Sequence, residues 1–169
     1  MMASSVKVTK DISAFVLRNI QRMADERVLI GFPSTGAARK DGPVGNAYLG
    51  FIHEHGAPKA NIPARPFLVP GVRASLPRAL KALKVYGAKS MTDPSQLEKG
   101  LEAAGAIARD SAKKTITSQG TAGDPATPFA PLSPVTLAAR KRAKVKGTRA
   151  LIRTGSLLNS ITYVVKKGK

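Results

Sequence analysis

His53, Glu54 and His55 stand side by side, the one conspicuous cluster in this 169-residue chain whose side-chain types can hold a metal or move a proton. Their spacing argues against both. On a helix, neighbouring side chains point about 100° apart, and i and i+2 do not share a face. The zinc-protease arrangement needs histidines at i and i+4. With only two His in the chain, a catalytic zinc would need carboxylate ligands that no spacing singles out. The expected role is structural, with Glu54 or the helix end meeting Arg65 as a half-buried pair. Other chemistries fare no better. There is no Cys, which removes disulfides, thiolate metal sites and a thiol nucleophile together. No G-x-S-x-G elbow supports a Ser/His/Asp triad. The Gly/Pro-rich stretch 33–45 lacks the G-x-x-x-x-G-K-[ST] spacing that cradles phosphates. The expectation is a protein that is not an enzyme, with no metal and no cofactor.

Charge gives the second chemical signal. Lys plus Arg is 28 against 10 for Asp plus Glu, a formal net charge of +18, which repels copies of itself and attracts polyanions. All ten acids lie at or before Asp124. Beyond it Arg140, Lys141, Arg142, Lys144, Lys146, Arg149 and Arg153 crowd together. Such a run is expected to be poorly packed in the isolated protein and ordered against phosphate, since each phosphate neutralised releases condensed counterions. Without zinc-finger spacing or leucine heptads it has no device for reading base sequence. Aromatics are 5% with no Trp, too few for base-stacking platforms.

The elements that position these groups follow from periodicity. Ile12, Phe15, Val16, Ile20 and Met23 fit one face of a helix, with Asp11 as its cap. The run 28–32 reads as a short buried strand, followed by the mobile loop 33–45. Ala47, Tyr48, Phe51 and Ile52 are in helical register, and Gly56 is placed as a left-handed terminator. Three prolines in 58–66 fix an extended path. A helix over about 72–86 is expected to bury Leu76, Leu80 and Leu83, with Pro77 disturbing its first turns. Asp93-Pro94 opens another, whose narrow stripe of Leu97, Leu101, Ala104, Ala108 and Ala112 predicts close packing against a sheet or a neighbouring subunit. A loop-helix segment over about 120–150 follows, then a turn and a β-branched strand at 161–165. The pattern is one domain over 1–169 of α+β class: a small, mainly antiparallel sheet packed with several helices, with long loops and a basic C-terminal segment. At this length roughly 70% of the unfolded surface can be buried, so no staples are needed. The longest apolar runs fall far short of the ~20 residues of a membrane span. The N-terminal stretch has no signal-peptide core, and synthesis in the cytoplasm is expected.

Several of these pieces resemble a known family. The run 48–58 (YLGFIHEHGAP) is similar to its "helix, then I-H-E-x-G" element, and 62–68 (IPARPFL) to its "I-P-x-R-P-F-L" strand. Pro131-Leu132-Ser133-Pro134-Val135-Thr136 and 151–161 (LIRTGSLLNSI) resemble its "P-L-s-p-x-T" and "L-I-x-T-G-x-L-x-x-S-I" elements. The family is the virion-morphogenesis or tail-completion proteins of tailed bacteriophages. The resemblance marks Glu54, Gly56, Pro63, Arg65, Pro66, Phe67, Leu68, Thr154, Gly155, Leu157 and Ser160 as motif residues. It implies a virion protein of the neck: a homo-oligomeric ring, most simply a hexamer, that meets a head-completion or connector protein on one side and the tail terminator or tube on the other. Genomic duplex DNA would cross its lumen. In that setting 62–68 is expected to be an edge strand open to pairing with another subunit, with Phe67 and Leu68 as core anchors.

The charge is compatible with that setting. Duplex DNA carries one charge per ~1.7 Å, so a ring ~40 Å tall encloses about two dozen phosphates. Six copies carry several times that positive charge, and part of it must face acidic neighbours or solvent. Two other classes compete. A sequence-neutral nucleic-acid-binding protein accounts for the basic half but leaves IPARPFL without a role. A hydrolase or nuclease would have to run on the His-Glu-His cluster.

Overall fold

The computed structural model describes residues 12–33 and 44–167. In chain order these form α1 (Ser13–Asp25), β1 (Arg27–Gly31), α2 (Asn46–His55), a 3-10 turn (Pro58–Ala60), α3 (Leu68–Ser90), α4 (Ser95–Thr117), α5 (Pro134–Arg142), α6 (Ser156–Ser160) and β2 (Thr162–Lys166). The two strands pair antiparallel, with Arg27 opposite Lys166 and Gly31 opposite Thr162. This is the expected α+β class, with a small sheet and several helices. Most of the loop expected at 33–45, and the Asp11 cap, lie outside the described residues.

Helix α4 is the axis of the structure. It packs along α3 and against both strands, and the stripe read from the sequence is its buried face: Leu97, Leu101, Ala104, Ala108 and Ala112. The residues α3 buries are all small: Gly71, Ser75 and Ala79, with Gly71 against Ala112 of α4, and Gly87 and Ser90, which meet Met23 and Asn19 of α1. The approach is so close that a Cβ at Gly71 would stand 2.6 Å from the Cα of Ala112. This corrects the expectation that Leu76, Leu80 and Leu83 are buried. Leu76 and Leu80 are exposed and Leu83 is half-buried, because an inward row of leucines would force apart backbones that only small side chains let touch. Pro77 does not disturb the first turns. The helix starts nine residues before it and runs through it.

The chain's two halves meet in one apolar core. Phe67, Ala112, Ile116, Phe129, Ala150 and Ile161 form it, with Ile30, Phe32 and Leu68 packed around them. Phe67 is fully buried and meets Phe32 edge-on, with ring centroids 6.2 Å apart. Phe67 is thus the anchor it was expected to be, and Leu68 sits half-buried beside it. The segment leading to them is not a strand. Only Ile62 makes an isolated bridge, to Ala57, and residues 63–67 carry no ladder. Pro63 and Pro66 lack the N–H that a ladder uses, and Leu68 already belongs to α3.

Asp93 closes the turn between the long helices. Its Oδ1 accepts from the Ser95 amide at 3.0 Å and hydroxyl at 2.8 Å, and its Oδ2 from Gln96 Nε2 at 2.7 Å. The Gln96 bond first, then those from Ser95, hold its carboxyl below the ordinary 3.8.

Two outcomes are expected. Phe67→Ala should cost about 3–5 kcal/mol, read from denaturant midpoints; an unchanged midpoint would contradict its place in the core. Because the Asp93 carboxyl is lowered on folding, its stabilisation is present above the ordinary carboxylate pKa and is lost as pH falls through the lowered value. Thermal melts of Asp93→Asn against pH should therefore show a shallower acid limb than the parent.

Candidate functional site

Helix α3 begins at a point where its own sequence provides no cap. Its N-cap residue is Phe67, and no side-chain oxygen there accepts a bond. The cap comes from the end of α2. Glu54 Oε2 accepts from the amides of Phe67 and Leu68, each at 2.9 Å, and Oε1 accepts from the Val69 amide at 2.9 Å. One carboxylate thus meets three N–H groups that α3 leaves unpaired, at the positive end of the helix dipole.

The backbone between the two helices makes this reach possible. Gly56 ends α2, its amide bonded to the Ile52 carbonyl at 2.6 Å. Its φ of 79° and ψ of 169° lie outside the left-handed helical region the sequence implied, in a region essentially open to glycine alone. A side chain there would also meet the Ala64 amide at 2.9 Å. The 3-10 turn then reverses the chain, and the Arg65 amide returns to the His53 carbonyl at 2.7 Å.

Of the two expected partners for Arg65, the α2 end meets its amide, and the Glu54 carboxylate does not pair with its side chain. Both Glu54 oxygens are engaged by α3, and the Arg65 side chain turns the other way. Its Nε donates to the Ala130 carbonyl at 2.8 Å and its Nη2 to that of Pro131 at 2.9 Å. Arg65 is 6% exposed, and burial lowers its pKa from the ordinary value. The physical reason is a division of labour: backbone donors at a helix start already balance the carboxylate, while the 130–131 turn presents carbonyls that need donors. The two arms join the IHE and IPARPFL elements to the PLSPVT element. Of the flanking histidines, His55 is exposed and stacked on Phe51 at 4.5 Å, and His53 is half-buried. No group of three or more potential metal ligands exists among the described residues.

The basic segment is more tightly held than expected. Helix α5 is capped by Ser133, whose Oγ accepts from the Thr136 amide at 3.2 Å. Arg140 does not face outward. Its Nη1 donates to the carbonyls of Gly147, Arg149 and Ile152 at 3.0–3.2 Å. Burial first, then the charge of Arg153, lowers its pKa. At the far end the Gln119 side chain both accepts from the Ala150 amide at 2.7 Å and donates to its carbonyl at 3.2 Å. Arg140 thus folds the segment back on itself and Gln119 ties its far end to α4, with carbonyls serving as acceptors where the sequence has no acids. Lys141, Arg142, Lys144, Lys146 and Arg149 are exposed.

The last motif turns the chain into β2. Gly155 takes φ 80° ahead of α6, the Ser156 amide reaches Thr154 Oγ1 at 3.4 Å, and the Ser160 hydroxyl bonds the Leu157 carbonyl at 2.9 Å. Leu157 and Ile161 are buried. Gln119 and the buried Asn19, which ties α1 to the Ser90 carbonyl at 2.9 Å, were not singled out from sequence. Asn19 sits within the apolar stripe of α1, and a polar residue there was the available signal.

No family model, curated protein or solved structure matches the chain.

Replacing Glu54 with Gln leaves one acceptor oxygen and no charge at the α3 start. The expected loss is about 2 kcal/mol, with faster amide exchange at Phe67, Leu68 and Val69. Unaltered exchange at those three amides would contradict the cap.

Proposed function

We propose that this chain is a non-enzymatic virion-morphogenesis or tail-completion protein of a tailed bacteriophage, acting as a ring in the neck through which duplex DNA passes. The observation that carries this reading is the convergence of the resembling elements. The IHE and IPARPFL pieces are bound by Glu54, the PLSPVT piece by Arg65, and the final piece shares the core through Ile161. Segments a hundred residues apart thus form one junction, as a shared architecture requires and four chance likenesses do not.

The sheet supplies a means of assembly. Val28, Ile30, Tyr163 and Val165 are half-buried on one face, while Leu29 and its cross-strand partner Val164 are each 53% exposed on the other. On that outer face Arg27 stands opposite Lys166, a like-charge pair that is unfavourable by itself. Among the described residues each strand has only the other as its ladder partner, so both outer edges can accept a strand from a neighbour. The open edge belongs here to the sheet rather than to 62–68. The exposed cations of 141–149 are available to DNA or to acidic head and tail proteins, and the net charge favours both.

Electron microscopy of assembled particles should place several copies of the chain in a ring between head and tail. Leu29→Lys should leave the protomer's melting within about 0.5 kcal/mol while preventing that assembly. A lone protomer that is missing from particles, yet binds short duplex with a steep salt dependence, would overturn the ring and favour the sequence-neutral nucleic-acid reading.

A further inference from the structure

A cleft of about 660 Å³ opens between the end of α2, residues 61–65, the 131–136 turn and residues 151–157. Arg65, Arg140 and Arg153 line it, with the hydroxyls of Ser133, Thr154 and Ser156, and no described Asp or Glu does. Arg65 is more than nine-tenths buried, yet among the described residues only its Nε and Nη2 have partners, both carbonyls. Arg140 likewise bonds carbonyls, among the described residues through Nη1. None of the three arginines forms an ion pair among the described residues. Carbonyl oxygens satisfy hydrogen bonds but do not cancel a full charge. Guanidiniums gathered in a partly desolvated cleft are stabilised when an anion joins them, and their planar forks match a carboxylate or a phosphate.

The rest of the lining distinguishes between these anions. Leu49, Ile62, Leu132, Leu151 and Leu157 form an apolar wall. No Phe, Tyr or Trp lines the cleft, and its one aromatic ring is the half-buried imidazole of His53, so it offers a nucleic-acid base little stacking surface. Its volume is that of a site for several connected groups rather than one small ion.

We propose that this cleft docks a short acidic–apolar peptide segment of a partner protein. A carboxylate meets Arg153 and the guanidinium nitrogens of Arg140 and Arg65 that hold no described carbonyl, and an adjoining aliphatic side chain lies on the leucine wall. Nothing in this depends on which particle or cell the protein serves.

The test uses displayed random dodecapeptides selected on the full chain, with binding then compared on two variants of equal charge. Arg153→Glu reverses an exposed cation in the cleft, and Lys81→Glu reverses one on α3, outside it. The selected peptides should pair Asp or Glu with Leu, Ile or Val. They should bind the parent and Lys81→Glu alike, and lose about ten-fold or more on Arg153→Glu, the size of one charged hydrogen bond. Thermal melts establish that both variants fold. Equal loss on the two variants would mean attraction to overall charge and would overturn the cleft. So would a selected pool lacking acids. A short DNA duplex that displaces the peptides and binds Arg153→Glu more weakly than Lys81→Glu would overturn it in favour of a phosphate ligand.

Discussion

The Glu54 carboxylate at the start of α3 is the contact on which the rest of the architecture depends. A 23-residue helix ending in unpaired amides, with its dipole pointing at them, needs a negative acceptor at its first turn. The chain supplies it from the preceding helix, thirteen residues before Phe67. That choice fixes where α3 begins, and with it the position of Phe67 in the core and of Gly71 against α4. Moving Glu54 would therefore displace the core residue and the helix contact together.

Close packing is the second constraint. On the α3 side the buried positions are Gly, Ala and Ser where leucines were available one position away, and α4 adds Leu97 and Leu101 to its own small residues. Backbone proximity and many weak dispersion contacts stabilise the α3 side of the seam. Its consequence is an outer surface richer in apolar groups than the core requires. Leu76 and Leu80 on α3, Leu17 and Ile20 on α1, and Leu29 and Val164 on the sheet are all exposed. The chain thus combines a net charge of +18 with uncovered apolar side chains.

Arginine plays two roles in this molecule that composition does not separate. Arg65 and Arg140 are internal braces, each donating to backbone carbonyls that no other described side chain reaches. Lys141, Arg142, Lys144, Lys146 and Arg149 are an exposed basic surface carried by the segment those braces hold. At Arg65 the fixed guanidinium plane sets the geometry, with Nε and Nη2 donating to neighbouring carbonyls, while at Arg140 one nitrogen, Nη1, gathers three.

The sequence by itself determined what depends on local periodicity and composition. The small-residue stripe of α4, the Asp93-Pro94 start, the ends of α2, a strand near 28–32 (Arg27–Gly31 in the structure, half-buried rather than buried) and the lack of metal-binding spacing all follow from neighbours within a few turns. Tertiary structure decided what depends on a choice between equivalent partners. Glu54 had Arg65 or a helix start within reach, α3 had a leucine face or a small-residue face to bury, and Arg140 had solvent or three carbonyls. In each case both options satisfy the same local pattern. The winner is set by how closely distant backbones approach, a quantity that no window of the sequence contains.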